Sequence, residues 1–251
     1  STLLAISDSD DGSAEKVLEE LSEKLWNSRS QFDGAGVDLE TAMESLIKIT
    51  GRTCLLDMGD NVGGGSPADG TLLAHALITH MVERSFVCLY DPYATELACS
   101  AGIGQSVMLQ IGGKTDSNHG APITAEVKVR GIYSGKFEEK KPRHGGISCF
   151  DQGKTVVVEN NSGLTVMLTT KRMAPFSLEQ LYSCDLDPEE FDVIVAKGVN
   201  SPLGAYQEVC SHFIRVDTQG VTSANLDYFD YQFRRRPMYP FENDFDLCYK
   251  P

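Results

Sequence analysis

The chain has 251 residues, 41% of them hydrophobic and 23% charged, the balance of an ordinary globular protein able to bury a sizeable core. Its formal charge of -14, from 22 basic against 36 acidic side chains, argues against a nucleic-acid partner, because such binding needs clustered Lys and Arg on phosphates. No apolar run reaches the length of a membrane span, no basic and apolar leader opens the chain, and seven scattered cysteines form no Cys-x-x-Cys pair, so a soluble cytoplasmic protein with reduced thiols is expected.

In chain order, Leu3 to Ile6 reads as a short apolar strand, and Val17, Leu18, Leu21, Leu25 and Trp26 keep helical spacing in the helix that follows. A strand and helix with no sheet beside them cannot bury both faces, so residues 1 to 33 are expected to be the tail of a missing N-terminal domain, with 34 to 251 a second domain. A further helix is capped by Asp38 and runs to Gly51. Strand and helix then alternate: a strand Thr53 to Leu56, a helix from Pro67 to about Arg84, a strand Phe86 to Tyr90 and a helix around Thr95 to Cys99. After Gly104 the period becomes two, giving antiparallel strands at Val107 to Ile111, Ile123 to Tyr133, Thr155 to Glu159 and Leu164 to Thr169, with Glu138 to Gly146 a mobile loop. The last third returns to mixed order: a helix Ser177 to Ser183, a strand Val193 to Ala196, a helical patch Ala205 to Val209, a strand Phe213 to Val216 and an irregular tail from Arg234. The fold class is therefore α/β, a mixed sheet covered by helices with an antiparallel β-rich middle section.

Function points first to Asp57 through Thr71. The strand delivers Asp57 and Asp60 to a loop with Asn61, and Gly63, Gly64 and Gly65 let the backbone approach a ligand closely. Ser66 has the position of an N-cap, with Pro67 at the first helical position and Asp69 three residues on, a variant capping box whose bare amides suit an anion. The same residues could equally make a tight turn and nothing more. The phosphate-loop pattern fails because the glycines are followed by Ser66-Pro67, and the dinucleotide fingerprint fails on glycine spacing.

The residues then suggest a family. Asp57, Asp60-Asn61, the triple glycine, Pro67 and Asp69-Gly70-Thr71 resemble the opening of the C-terminal domain of the microcystinase C-like (MlrC-like) proteins, a group of proposed zinc metallopeptidases. Tyr90-Asp91-Pro92, Ala101 to Gly104, Gly112-Gly113-Lys114 with His119 to Pro122, Lys197, Asp217-Thr218 with Gly220, and Arg236-Pro237 with Tyr239-Pro240 fall in the same order as that family's landmarks. The chain departs from it at Asn200 to Tyr206, where the family tends to carry a His-Phe-Arg-Ala-like segment. The resemblance implies a zinc-dependent hydrolase of small or cyclic peptides whose zinc ligands lie in the N-terminal domain, the principal partner. This chain would then shape the cleft, be inactive alone, and expose an apolar face favouring homo-oligomers.

The residues read by themselves agree that no complete zinc site is present. His75 and His80 lie five apart, about 140° around a helix, and do not share a face. His119 shares its loop with Lys114, Thr115 and Asp116, and Lys114 and Lys197 each follow a strand where they could bind a carboxylate. Candidate catalytic groups are thus Asp57, Asp60 and His119; candidate ligand-binding residues are Asn61, Gly63, Gly64, Gly65, Ser66, Asp69, Thr71, Lys114 and Lys197. Two alternatives stay open: a non-enzymatic small-ligand or anion-binding module or assembly scaffold, and an independent hydrolase using Asp57, Asp60 and His119 around an oxygen-ligated metal.

Overall fold

Thr53–Asp57 (β1) is apolar at successive positions without alternation, the pattern of a strand covered on both faces, and all five residues are buried. The computed structural model describes residues 2–32, 34, 36–141 and 143–246; Cys248 and the side chain of His144 lie outside the described residues. Among the described residues nine further strands follow β1: Ser85–Tyr90 (β2), Ser106–Ile111 (β3), Ile123–Tyr133 (β4), Lys136–Glu138 (β5), Cys149–Asp151 (β6), Thr155–Asn160 (β7), Leu164–Thr169 (β8), Val193–Ala196 (β9) and His212–Val216 (β10). Eight form one sheet in the order β10-β1-β9-β2-β8-β7-β4-β3. The run from β10 to β8 is parallel and the run from β8 to β3 antiparallel, so β8 joins the two halves. The expected mixed α/β architecture is what forms.

Helices cover both faces of this sheet. Leu39–Lys48 (α2), Leu72–Thr79 (α3) and Pro92–Ala101 (α4) bury Met43, Leu73, Leu77 and Ala98 against Leu55, Val87 and Leu89 on one side. Glu179–Tyr182 (α5) and Leu203–Tyr206 (α6) bury Leu181 and Tyr206 against Cys54, Leu56, Phe86 and Ile194 on the other. Local chemistry fixes several starts: Asp38 accepts from the Thr41 amide and Asp91 from the Ala94 amide, with Pro92 at the first turn of α4. Cys88 is only partly buried beside the second core, and desolvation pushes its thiol up to about 12, away from a nucleophile's range.

Four expectations differ. Leu3 to Ile6 forms no strand and belongs to no sheet, because a strand needs a neighbour to take its backbone groups. α3 begins at Leu72, five residues after Pro67, and ends at Thr79. β5 and β6 pair as a small hairpin that short polar segments did not announce. Glu138 to Gly146 starts in that hairpin, and the buried Glu139 amide donates to Ser148 O at 2.8 Å.

Ser1–Gly34 and Phe229–Pro251 form one compact unit and Ala35–Tyr228 another. The opening segment, set apart at residue 33 by its sequence, thus groups with the closing one. Within the smaller unit, Ser13–Asn27 (α1) brings Trp26 within 5.0 Å of Phe245, ring to ring, and Arg29 lies 4.2 Å over Trp26. Arg234, in the run Arg234-Arg235-Arg236, makes a two-pronged bond to Glu242 at 2.6 and 2.8 Å, a local ion pair.

Candidate functional site

In an open sheet of parallel strands the chemistry usually gathers beyond their carboxyl ends. There β1 delivers Asp57, β9 delivers Lys197 and β10 leads into Asp217 and Thr218. Lys197 is 3% exposed, and its Nζ donates to Asp57 Oδ2 at 2.7 Å, to Gly70 O, and lies 3.1 Å from Asp60 Oδ2. Thr218 Oγ1 donates to the other oxygen of Asp57 and accepts the Gly59 amide at 2.9 Å. Burial pushes the Lys197 ammonium down, but the charges of Asp57 and Asp60 more than reverse this and hold it above the ordinary lysine value. Burial raises the Asp60 carboxyl, and the Lys197 charge, the nearby Ser66 hydroxyl and the Gly70 and Ala68 amides outweigh it, leaving it below the usual range.

This knot corrects the expected anion site. Asp60 accepts the Ala68 amide at 2.8 Å and the Gly70 amide at 2.7 Å, so the amides that would have greeted an external anion are filled by the chain's own carboxylate. With those amides tied, residues 66 to 70 cannot wind into a helix, and Ala68 adopts a left-handed φ of 66°. Ser66 is therefore no N-cap, and its buried hydroxyl makes no hydrogen bond of ordinary geometry. Asp69 turns instead to Lys114 and Thr115, one oxygen taking both amides and the Thr115 hydroxyl at 2.9 Å each. The acids expected to be offered by this loop are not open to solvent: Asp57, Asp60 and Asp69 are each 2% exposed.

The remaining sequence candidates have defined places. Gly63, Gly64 and Gly65 are exposed, with Val62–Gly64 a 3-10 turn and Gly65 left-handed at φ 97°. Asn61 is half-buried and its amide donates to Thr222 Oγ1 at 2.9 Å. Thr71 is buried, its hydroxyl on Ala121 O at 2.7 Å. Lys114 Nζ donates to Asp91 Oδ2 at 2.6 Å and to Gln110 O at 2.5 Å. His119 is 1% exposed: Nδ1 meets Asp116 at 2.8 Å, and Nε2 accepts the Val221 amide at 3.1 Å, which fixes the tautomer protonated at Nδ1. His75 bonds Ala121 O at 2.9 Å and His80 lies 3.5 Å from Glu40, ordinary packed or surface imidazoles.

Sequence reasoning missed the roles of Asp91, Thr218 and Arg172. Asp91 both caps α4 and accepts the Gly112 amide at 2.9 Å, and the Asp91-Pro92 pair was its signal. Arg172 is exposed, lies 5.1 Å over the Tyr90 ring and donates to Pro67 O at 3.1 Å, a cation beside the glycine loop with no local signal to find it by.

The sequence model of the MlrC C-terminus matches residues 55–233. The chain belongs to this family. It is 22% identical over 249 residues to microcystinase C of Sphingomonas sp, covering 96% of this chain and 46% of that protein. It also matches the crystal structure of a proposed metallopeptidase from Mesorhizobium sp. BNC1 with a TM-score of 0.83 at 25% identity, covering 94% of this chain and 47% of that one. The chain thus spans about half the length of the relatives it matches.

Such relatives imply a metal, and the residues present do not fit one. Among the described residues no group of three or more His, Cys, Asp or Glu side chains could hold an ion. Asp57 and Asp60 are engaged by Lys197, and both nitrogens of His119 are taken by Asp116 and Val221, leaving no lone pair for coordination. The alternative of a metal held by Asp57, Asp60 and His119 therefore lacks its donors. Among the described residues no helix is long and apolar enough to cross a membrane.

Proposed function

We propose that this chain is the C-terminal half of a zinc-dependent amide or peptide hydrolase acting on small or cyclic peptides, with the zinc ligands supplied by an N-terminal domain and this half forming a wall of the substrate cleft. In this proposal residues 1 to 33 close the N-terminal domain and 34 to 251 form the C-terminal one. The observation that carries it is the family match over residues 55–233 together with the fold shared with a proposed metallopeptidase over 94% of this chain. Zinc would supply an activated water when bound by the other half.

The chain's own groups would then do positioning work. Lys197, Asp57, Asp60 and Thr218 lock the ends of β1, β9 and β10 together, so the exposed Gly63 to Gly65 turn is held at a fixed place with no side chain to obstruct a bound peptide. Asn61 offers an amide side chain and Arg172 a positive charge beside that turn, suited to a peptide carbonyl and carboxylate. Support for a free-standing anion module is weaker, since Asp60 already fills the amide nest.

The test is a side-by-side amide hydrolysis assay of the complete protein and of the 251-residue chain, each with zinc. Turnover by the complete protein alone, lost to a chelator and restored by zinc, is the expected result. Comparable turnover by the isolated chain would overturn the division of labour.

A further inference from the structure

A small pocket lies toward the carboxyl ends of β2, β8 and β9, lined by Cys88, Tyr90, Thr169, Gln180, Lys197 and Tyr206 among others. Two side chains in its wall are buried with hydrogen-bonding capacity to spare. Gln180, on α5, is 1% exposed, and its Nε2 donates to Gln152 Oε1 at 2.9 Å and, more weakly, to Cys88 Sγ at 3.7 Å. Gln152 sends its own Nε2 to the Met167 and Cys184 sulfurs at 3.8 Å each, so its oxygen meets Gln180 and fixes which way round the Gln180 amide lies. Gln180 Oε1 is then a buried acceptor without a hydrogen-bond partner, a costly state unless something donates to it. Tyr206, on α6, is also 1% exposed, and among the described residues its hydroxyl makes no hydrogen bond. Burial holds that phenol neutral, with its proton to give.

Size, charge and hydrogen bonding together name what fits. The room for the centre of a water-sized molecule is about 10 Å³, enough for one water. The Lys197 ammonium in the wall disfavours a cation, and the unpaired oxygen of Gln180 disfavours an anion. Lys197 directs its three protons to Asp57, Asp60 and Gly70, so it has none to offer an occupant. The occupant must therefore be neutral, donate to Gln180 and accept from Tyr206. We propose that this pocket binds one ordered water molecule, which donates to Gln180 Oε1 and accepts from the Tyr206 hydroxyl. Its second proton has an acceptor in Thr169 Oγ1, whose own proton goes to Lys171 O at 2.9 Å. Three polar partners are what a buried water commonly has. Bound there, it joins α5 to α6 beside the strand end that carries Lys197.

A crystal structure of the 251-residue chain at a resolution that shows ordered solvent tests this without reference to activity. One density peak is expected in the pocket, within about 2.6–3.2 Å of both Gln180 Oε1 and the Tyr206 hydroxyl. Gln180→Met keeps the bulk of the side chain and removes the acceptor, and should lower the occupancy of that peak to below about half. Oxygen-17 magnetic relaxation dispersion in solution should then count one long-lived water fewer in Gln180→Met than in the unaltered chain. Should Gln180→Met not fold, Tyr206→Phe removes the other partner and carries the same two expectations. A pocket without a peak, a peak near neither group, or one that keeps full occupancy in the variant overturns the inference. So does a peak with an anomalous signal, which would assign the pocket to an ion.

Discussion

Asp57 and Asp60 lie within eight residues of Gly63, Gly64 and Gly65, yet the two groups meet opposite fates: the acids are sealed beneath the carboxyl edge on Lys197, and the glycines stand in solvent. The difference teaches that a carboxylate beside a glycine turn can be an internal ligand for the turn itself. Asp60 fills the amide nest that a substrate anion would otherwise enter. What remains for an outside molecule is shape and a few polar groups on a fixed rim.

The comparison breaks most directly at Lys197. Lys197→Met strands two buried carboxylates, and loss of about 3–5 kcal/mol is expected, which for a chain this long lowers the melting temperature by roughly 10 °C. Adding Asp60→Asn should return part of that loss, and a double-mutant cycle showing no coupling would mean the three groups do not act as a unit. Next in size is Gly59→Ala: the new Cβ would sit 2.3 Å from Thr218 O, a clash with backbone expected to cost about 1–3 kcal/mol in urea unfolding.

A smaller effect should come from pH. Asp60 sits below its ordinary 3.8, so its contribution is complete above that value and is lost as the pH falls from there toward the lowered native value. Lys197 sits above its ordinary 10.5, so its contribution is complete below that value and is lost as the pH climbs past it. The alkaline loss should shrink in Lys197→Met; an unchanged alkaline limb would place its origin elsewhere. The smallest effect belongs to the exposed side: Gly63→Ala meets only Asn61 Oδ1 at 3.4 Å and should change stability by less than about 0.5 kcal/mol. A larger loss there would show that the turn is part of the packed core after all.

Much of the fold was legible because its causes are local. The unbroken apolar run at β1 and the Asp38 cap each announce an element within a few residues, and the change of period after Gly104 marks where parallel gives way to antiparallel pairing. The onset of α3 was misplaced because its decisive bonds run back from Ala68 and Gly70 to Asp60 and across to Lys197, 140 residues beyond Asp57. His119 illustrates the same limit, since its Nε2 partner, the Val221 amide, is 102 residues away. Leu3 to Ile6 has a strand's composition, but composition cannot provide the neighbouring strand.

The central claim, that the buried acids serve Lys197 and leave no metal centre among the described residues, is tested most directly by titrating zinc into the purified 251-residue chain and counting tightly bound equivalents after gel filtration. The account predicts well below one equivalent, with no change on Asp57→Asn or His119→Gln. One equivalent retained by the chain and lost in either variant would contradict it.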